Sequence, residues 1–303
     1  MAKNENLKKA KKAKNDEFYT QLTDIEKELR HYKKHFKDKI VFCNCDDPEY
    51  SNFWKYFSLN FEELGLKKLI ATHYEIDKPS YRLEMWKDEA GVHSGIKTLE
   101  GNGDFRSPES IELLQEADIV VTNPPFSLFR EYVSQLMTYE KKFLIIGNKN
   151  AITYKEFFPL LKEDKVWIGY NSVKEFKQPD GTVKKFGNIG WYTNLDIDKR
   201  HEDITLYRRY LPDDYPRYDN YDAIEVSKIA EIPCDYDGVM GVPITFMDKY
   251  NPDQFEIIGG TANGLVPDEL KIGDFTVYNN PIIGDKKIYQ RILIRNKQQS
   301  KEV

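Results

Sequence analysis

Apolar positions along the first half of the chain alternate between a helical period and short continuous runs. Ile25, Leu29, Tyr32 and Phe36 form a helical stripe that ends before an apolar run at 39–45. The same alternation continues as far as residue 170. It predicts strands at 39–45, 67–75, 118–122, 141–148 and 165–170, and helices at 22–36, 51–65, 108–117, 128–136 and 153–164.

Polar residues at the predicted helix starts agree with this alternation. Ser107 suits the N-cap, Pro108 the first helical position and Glu109 the positive end of the helix dipole. Ser127 is a second candidate N-cap, and Gly65 suits a helix end. Strands separated by helices and apolar throughout are typical of a parallel sheet covered on both faces. The predicted fold class is therefore α/β, with a doubly wound sheet.

The pattern changes after about residue 172 to short strands and turns. Pro-Asp-Gly at 179–181 is a hairpin signal, and Gly-Asp at 284–285 separates two further apolar runs. We expect a smaller α+β region here. The predicted organisation is an arm at 1–16, a principal domain at 17–195 and a C-terminal region at 196–303.

Composition narrows the class of protein without identifying it. With 40% hydrophobic residues and 31% charged residues among 303, the chain is expected to fold, and a net charge of −5 argues against non-specific coating of nucleic acid. Three cysteines are too few for a disulfide framework. No apolar run has the length of a signal peptide or membrane span, so we expect a cytoplasmic protein with no membrane partner.

The N-terminal arm is rich in lysine and has almost no apolar residues. It is interpreted either as a mobile or DNA-induced helix or as a solvated tail. The lysines of the arm that are candidates for DNA binding are Lys11, Lys12 and Lys14.

Polar residues follow each apolar run, which is where an open α/β sheet binds its ligand. Asn44, Asp46 and Asp47 follow the first strand, Glu75 follows the second, and Asn-Pro-Pro-Phe at 123–126 follows the third. An Asn-Pro-Pro-aromatic sequence is expected by chance in about one chain of this size in several hundred. Its structural interpretation is a stiff strand-to-helix turn, because proline fixes φ and has no N–H to donate.

The chemical interpretation accounts for each residue of this motif. The amino group of adenine is a poor nucleophile, because its lone pair is delocalised into the ring. The side-chain oxygen of Asn123 and the carbonyl of Pro124 can accept its two N–H groups, in a geometry stiffened by the rings of Pro124 and Pro125. Phe126 offers a face on which a base taken out of the duplex can stack. With the methyl group of a sulfonium as electrophile, catalysis then requires positioning and electrostatics, and no metal.

The sequence resembles a known family here: the amino-directed DNA methyltransferases that use S-adenosylmethionine (SAM), and within them the EcoRI-type adenine-specific methyltransferases. The segments that carry the resemblance cover nearly the whole chain in order. They are DEFYTQ (16–21), CNCDDP (43–48), GDFRSPESI (103–111), DIVVTNPPFSLFREY (118–132), KKFLIIGN (141–148), ITYKE (152–156), WYTNLD (191–196), YDNYDAI (218–224) and GVMGVPITF (238–246).

The resemblance implies N6-methylation of adenine at a specific sequence in double-stranded DNA, with S-adenosylhomocysteine as the other product. It implies a Rossmann-like SAM-dependent catalytic domain at 17–195 and target recognition by 196–303. Such enzymes usually serve restriction-modification systems, so a separately encoded restriction endonuclease is a candidate partner. The residues expected to bind SAM are Phe18, Tyr19 and Thr20 at its methionine end, Asp104 and Phe105 at its adenine ring, and Asn44, Asp46, Asp47 and Asn123.

One departure from the pattern concerns the turn after the first strand. Methyltransferases generally have a glycine-rich turn there, which lets backbone approach the cofactor, whereas this chain has Asn44, Cys45, Asp46 and Asp47. The sequence therefore leaves open which of the polar residues contacts SAM, and whether Glu75 is the acidic residue that binds the ribose.

Other candidate sites have ordinary structural interpretations. His31 and His35 have the spacing of metal ligands on a helix, but no third ligand is near in sequence, so surface residues are favoured. The lysines of the hairpin, Lys177, Lys184 and Lys185, suit either a DNA groove or a solvated surface. The tyrosine- and arginine-rich segment at 208–222 suits a packed connector slightly better than a DNA contact.

Two rival functions remain at this level. The first is a SAM-dependent enzyme with another substrate, because related Asn-Pro-Pro-aromatic motifs also serve methylation of RNA bases and of protein glutamine side chains. A non-catalytic DNA-binding protein that has kept the fold is the other, suggested by the missing glycine turn.

Overall fold

The computed structural model describes residues 19–45, 47–75, 80–177, 182–262, 265–273 and 280–297. They form two compact units. One comprises the chain up to Lys149 together with Ile168–Leu195, and the other comprises Asn150–Trp167 together with the chain from Asp196 onward. This division reflects how the residues pack and does not test function. The catalytic role of 17–195 and the target-recognition role of 196–303 therefore stay predictions.

The first unit is built on a nine-stranded sheet. Its helices are α1 (Leu22–Leu29), α2 (Asn52–Leu59), α3 (Pro108–Glu116) and α4 (Phe129–Thr138), with 3-10 turns at Lys33–His35 and Phe126–Leu128. Its strands are β1 (Tyr19–Thr20), β2 (Ile40–Cys43), β3 (Lys68–Thr72), β4 (Tyr81–Asp88), β5 (Gly91–Thr98), β6 (Ile119–Thr122), β7 (Lys142–Asn148), β8 (Trp167–Lys177) and β9 (Val183–Thr193). The strand order is β1-β8-β9-β7-β6-β2-β3-β4-β5.

The centre of this sheet is parallel. β3, β2, β6 and β7 are neighbours in that order, and each adjacent pair is parallel. The crossover from β2 to β3 runs toward one edge of the sheet, and the crossover from β6 to β7 runs toward the other edge. Because such crossovers are right-handed, α2 and α4 lie on opposite faces of the sheet. Successive residues such as Val41 and Phe42 point to opposite faces, yet both are fully buried. This mixed α/β architecture is consistent with a Rossmann-like methyltransferase sheet.

The hairpin of β4 and β5 extends the sheet beyond β3 and was not predicted. β4 is antiparallel to both β3 and β5. Its Glu84 is 2% exposed and is surrounded by Lys68 at 3.1 Å, Arg82 at 3.2 Å and Lys97 at 2.7 Å. The hairpin therefore buries a carboxylate among cations on one face of β4.

The hairpin predicted near residue 180 belongs to the large sheet, and this corrects its placement in the smaller region. β8 and β9 are eleven residues each, and β9 pairs antiparallel with β7. Trp191 and Tyr192 are fully buried. The Pro-Asp-Gly turn itself, at 179–181, lies outside the described residues.

Helix boundaries agree with the sequence in part. Ser107 caps α3 by accepting the N–H of Ser110 at 3.1 Å, and Pro108 is the first helical residue, as predicted. The Ser127 cap is wrong, because α4 begins at Phe129 after a 3-10 turn and Leu128 at its N-cap makes no side-chain bond. The predicted first helix is interrupted after Leu29, since its last part is 3-10.

In the residues that the structure describes, the second unit contains a four-stranded sheet and one short α-helix. The helix α5 spans Phe158–Lys162, so most of the helix predicted at 153–164 is not α-helical. The strands β10 (Ile224–Glu225), β11 (Met240–Pro243), β15 (Arg291–Asn296) and β12 (Phe255–Gly260) pair in that order, and β13 (Ile282–Ile283) pairs with β14 (Lys286–Lys287) around the predicted turn. The 3-10 turns are Lys149–Thr153, Asp198–His201, Ile229–Glu231, Ile244–Lys249 and Asp268–Leu270.

Candidate active site

Asn44 and Asn123 lie at the same edge of the sheet, where two parallel strands end side by side. Val41 pairs with Ile119 and Phe42 with Val120. Continuing this register by two residues places Asn44 opposite Thr122, and the N–H of Cys45 donates to the Thr122 Oγ1 at 3.2 Å. The turn after β2 and the Asn-Pro-Pro-Phe motif therefore adjoin at the carboxyl ends of the strands, where open α/β sheets bind ligands.

The Asn-Pro-Pro-Phe motif forms the turn between β6 and α4. Asn123 is 6% exposed and Pro124 is buried, while Pro125 and Phe126 are partly exposed. The Pro125 carbonyl accepts the N–H of Leu128 at 2.9 Å, which closes the 3-10 turn. The motif thus fixes an amide side chain at the end of β6 and places an aromatic ring beside it.

Phe126 belongs to an aromatic trio with the β8–β9 hairpin. Its ring centroid lies 5.9 Å from that of Phe176 on β8 and 5.9 Å from that of Phe186 on β9, and the latter two are 5.5 Å apart. All three pairs are edge-to-face, the arrangement favoured by the ring quadrupoles. No local pattern predicts this contact, because Phe176 and Phe186 are distant from Phe126 along the chain.

Asn44 is held by a tyrosine from α4. The Asn44 side chain is 3% exposed, and its Oδ1 accepts a short hydrogen bond from the Tyr132 hydroxyl. Burial raises the pKa of Tyr132 well above its ordinary value, so the phenol stays protonated and donates. Among the described residues, no group bonds to the Asn44 Nδ2, which is also buried.

Asp47 faces the end of β3. Its carboxylate lies 3.4 Å from the His73 Nε2, and it accepts the N–H of Glu49 at 3.0 Å. The ring of His73 stacks on Tyr81 with centroids 4.9 Å apart. Burial, together with the Asp47 charge, raises the pKa of Tyr81. The structure therefore brings this predicted cofactor residue to the ligand edge of the sheet.

Asp104 and Phe105 follow a glycine that approaches the end of β3. Gly103 has φ +77°, and a Cβ there would overlap the His73 carbonyl, so only glycine fits. The Asp104 carboxylate accepts from the Arg106 guanidinium at 2.6 and 2.9 Å. Phe105 is 5% exposed and packs edge-to-face on Tyr132 at 5.1 Å. Arg106 was not among the predicted site residues.

Tyr19 and Thr20 form β1, which pairs with the last residues of β8. Tyr19 is opposite Lys177 and Thr20 is opposite Phe176. The Thr20 carbonyl accepts from the Asn52 Nδ2 at 2.7 Å. The Thr20 Oγ1 is buried, and no hydrogen-bond partner occurs for it within the part of the chain that the structure describes. This motif is thereby attached to the hairpin that carries Phe176.

The predicted DNA-binding lysines of the hairpin are exposed. Lys185 pairs with Glu175 at 3.2 Å, Lys184 lies 5.2 Å from the ring centroid of Phe186, and Lys177 ends β8. Phe18, Asp46, Lys11, Lys12 and Lys14 lie outside the described residues.

The remaining candidates have local explanations. His31 stacks on Tyr170 at 3.8 Å. Within the described ranges, no group of three His, Cys, Asp or Glu side chains is arranged to hold a metal. The segment at 208–222 is partly buried and partly exposed, since Leu211 is 57% exposed whereas Tyr218 is 3% exposed.

Comparison with known proteins settles the family. The sequence model of the family described as adenine-specific methyltransferase EcoRI matches residues 6–297. The chain is 48% identical to the type II methyltransferase M.EcoRI of Escherichia coli, over 99% of both chains. It is 39% identical to M.MpnI of Mycoplasma pneumoniae and to M.MgeORF184P of Mycoplasma genitalium, both type II methyltransferases, over 96% of this chain and 98% of each relative. No solved structure matches.

The chain belongs to the EcoRI family of adenine-specific methyltransferases. The predicted resemblance and the predicted enzyme class, an adenine-specific DNA methyltransferase, are confirmed. The rival interpretation as a non-catalytic DNA-binding protein loses its support, because the relative at 48% identity is named as a methyltransferase. In the described parts of the enzyme, no helix has both the length and the apolar character required to cross a membrane.

Proposed function

We propose that this enzyme transfers a methyl group from SAM to the N6 amino group of an adenine flipped out of double-stranded DNA. It acts at a specific sequence, as the modification enzyme of a restriction-modification system with a separately encoded endonuclease. The observation that carries the proposal is the adjacency of the Asn44 turn and the Asn-Pro-Pro-Phe motif at the carboxyl edge of the parallel strands.

The side chains at this edge fit SAM chemically. Buried polar atoms at Thr20 and Asn44 have no hydrogen-bond partner among the described residues, and SAM offers carboxylate, hydroxyl and ring acceptors. Asp47 adds a carboxylate for the amino or hydroxyl groups of the cofactor. When bound, SAM supplies an electrophilic methyl group on a sulfonium.

The Asn-Pro-Pro-Phe motif performs the remaining chemistry. The Asn123 side-chain oxygen and the Pro124 carbonyl accept the two N–H groups of adenine, which draws the nitrogen toward tetrahedral geometry and frees its lone pair. Pro125 holds the turn in which these acceptors lie. Phe126 stacks on the flipped base and offsets part of the cost of unstacking it, which is a few kcal/mol.

The other predicted residues have supporting roles in this proposal. Phe18, Tyr19 and Thr20 close over the methionine end of SAM, and Asp46, Asp104 and Phe105 complete its pocket. Lys11, Lys12, Lys14, Lys177, Lys184 and Lys185 contact DNA phosphates. The region 196–303 recognises the target sequence.

The test is a product analysis with purified protein, SAM and unmethylated DNA of mixed sequence. The DNA is digested to nucleosides, and N6-methyladenine and N4-methylcytosine are quantified by mass spectrometry. We expect N6-methyladenine only, abolished in Asn123→Ala, which still folds and binds SAM. RNA and protein substrates are offered in parallel. Methylation of either of these with unmodified DNA, or turnover by Asn123→Ala, would refute the proposal.

A further inference from the structure

We infer that Tyr132 is a positioning residue for SAM binding, acting through Asn44 from the helix that follows Asn-Pro-Pro-Phe. The inference rests on the proposed function and adds a residue to it. The turn after β2 contains no glycine. Contacts with other residues must therefore set the shape that glycine backbone would otherwise provide.

Among the described residues, side chains from both flanks of Asn-Pro-Pro-Phe bond to this turn. The Tyr132 hydroxyl donates to the Asn44 Oδ1, and the Thr122 Oγ1 accepts the N–H of Cys45 at 3.2 Å. Tyr132 comes from α4 and Thr122 from the end of β6, so the segments on either side of Asn-Pro-Pro-Phe each supply one bond. A rigid non-glycine turn is thus fixed by its neighbours, whereas a glycine turn depends on its own φ angles.

The bond from the Tyr132 hydroxyl, together with a weaker contact from the Cys45 Sγ at 3.6 Å, orients the Asn44 amide. Because Oδ1 faces the phenol, Nδ2 points away from it. Asn44 is 3% exposed, and its Nδ2 is buried. None of the described residues accepts a hydrogen bond from this Nδ2. A buried amide donor without an acceptor is costly, which indicates that an acceptor atom of the bound ligand completes its bonding.

Tyr132 contacts a second predicted cofactor residue. The ring of Phe105 meets it edge-to-face with centroids 5.1 Å apart, and Tyr132 itself is fully buried. One side chain thus supports both the turn after β2 and the residue expected at the adenine ring of SAM. The hydroxyl serves the first contact and the ring serves the second, so the two can be separated by substitution.

The test is SAM binding by calorimetry, with steady-state kinetics, for Tyr132→Phe. This variant keeps the ring against Phe105 and removes the donor to Asn44. We expect the Kd and KM for SAM to rise about tenfold, with the KM for DNA unchanged. Tyr139→Phe, on a partly exposed residue at the end of the same helix, is the matched control and should bind SAM normally.

A double-mutant cycle distinguishes positioning from a general structural effect. Asn44→Ala should weaken SAM binding at least as much as Tyr132→Phe, and the double variant should be no weaker than Asn44→Ala alone, because the hydroxyl acts through the amide. Additive losses, or unchanged SAM affinity in folded Tyr132→Phe, would overturn the inference. If Tyr132→Phe does not fold, Thr122→Val is measured instead. Its Kd for SAM must rise, and an unchanged Kd would overturn the inference.

The outcome for the wild-type enzyme separates this inference from the proposed function. If the wild type binds SAM but forms no N6-methyladenine in DNA, the proposed substrate is refuted. The double-mutant cycle on SAM binding can still be interpreted in that case. Absence of SAM binding by the wild type would refute both.

Discussion

The ring of Phe129 lies directly against the bare backbone of Gly147. A Cβ built on Gly147 would lie 2.7 Å from the Phe129 Cζ, so no other residue fits there without moving the ring. Phe129 is the first residue of α4 and follows the Asn-Pro-Pro-Phe turn, while Gly147 is near the carboxyl end of β7. The contact therefore fixes the start of α4, and with it the motif, against the sheet.

The Gly147→Ala substitution adds only one methyl group, yet it should impair catalysis because that methyl group would displace the Phe129 ring. We expect a loss of about 1–3 kcal/mol in unfolding free energy from overpacking, and a fall in kcat as the motif shifts. Gly187→Ala on β9 is the control, because nothing lies within 4 Å of a Cβ built there. Thermal unfolding and methylation rates measured for both variants check this, and equal behaviour of the two would contradict it.

Phe126→Ala should lower kcat/KM for DNA while leaving SAM affinity unchanged. The base would lose a stacking face worth about 1–3 kcal/mol, which corresponds to a loss of roughly fivefold to 150-fold. Phe126→Tyr keeps the ring and should retain most activity. Steady-state kinetics on a duplex substrate measures the effect, and an Ala variant as active as the Tyr variant would exclude stacking at this position.

The parallel centre of the sheet and the polar residues at the carboxyl ends of its strands were predictable from sequence, because both depend on local patterns. Continuous apolar runs identified β2, β6 and β7, and each polar cluster immediately followed its strand. The caps were predictable where a side chain bonds locally, as Ser107 does with Ser110. Ser127 failed because the two prolines continue into a 3-10 turn before the α-helix begins.

Contacts between distant segments were not predictable. Tyr132 and Asn44 are 88 residues apart, and the pattern placed Tyr132 only on a buried face. The burial of Glu84 in the β4–β5 hairpin was not predictable either, because the cations that pair with it come from three strands. The addition of β8 and β9 to the large sheet depends on pairing with β7, for which no local sequence pattern gives the register.

Glu28→Gln should destabilise the fold. The buried Glu28 carboxylate accepts from the backbone N–H groups of Tyr170 and Asn171 at 2.8 Å each, and from the Tyr32 hydroxyl at 2.9 Å. A glutamine would turn an NH₂ group toward one of these donors, at a cost of about 1–3 kcal/mol. Glu26→Gln on the exposed face of the same helix is the control. Urea unfolding at pH 7 compares them, and a Glu28 variant as stable as the control would disprove the bonding.

The ion pair of Asp104 with Arg106 predicts a pH-dependent contribution to stability. Burial alone would raise the pKa of the Asp104 carboxyl, but hydrogen bonds and the charge from Arg106 outweigh it and hold the pKa below its ordinary value. A carboxyl with a lower pKa in the folded state stabilises the protein fully above its unfolded pKa. That stabilisation is lost as the pH falls through the folded value.

Asp104→Asn should therefore be less stable than the wild type at pH 7, and the difference should shrink below about pH 4. Glu131→Gln is the control, since Glu131 lies 3.3 Å from Arg106 but is 52% exposed, so its removal should cost about 0–1 kcal/mol. Urea unfolding from pH 7 to pH 3 measures both. A difference that does not change with pH would contradict the assignment of the pair.

The lysines of the β8–β9 hairpin should contribute to DNA affinity through phosphate contacts. If Lys177 and Lys184 each neutralise one phosphate, Lys177→Gln and Lys184→Gln should each reduce the slope of log K against log salt by about 0.9. The reduction should be the same for target and non-target DNA, because phosphate contacts carry no sequence information. Lys55→Gln, exposed on α2, is the matched control. Binding titrations over a range of salt concentrations decide the point, since slopes equal to that of the control would place the DNA elsewhere on the enzyme.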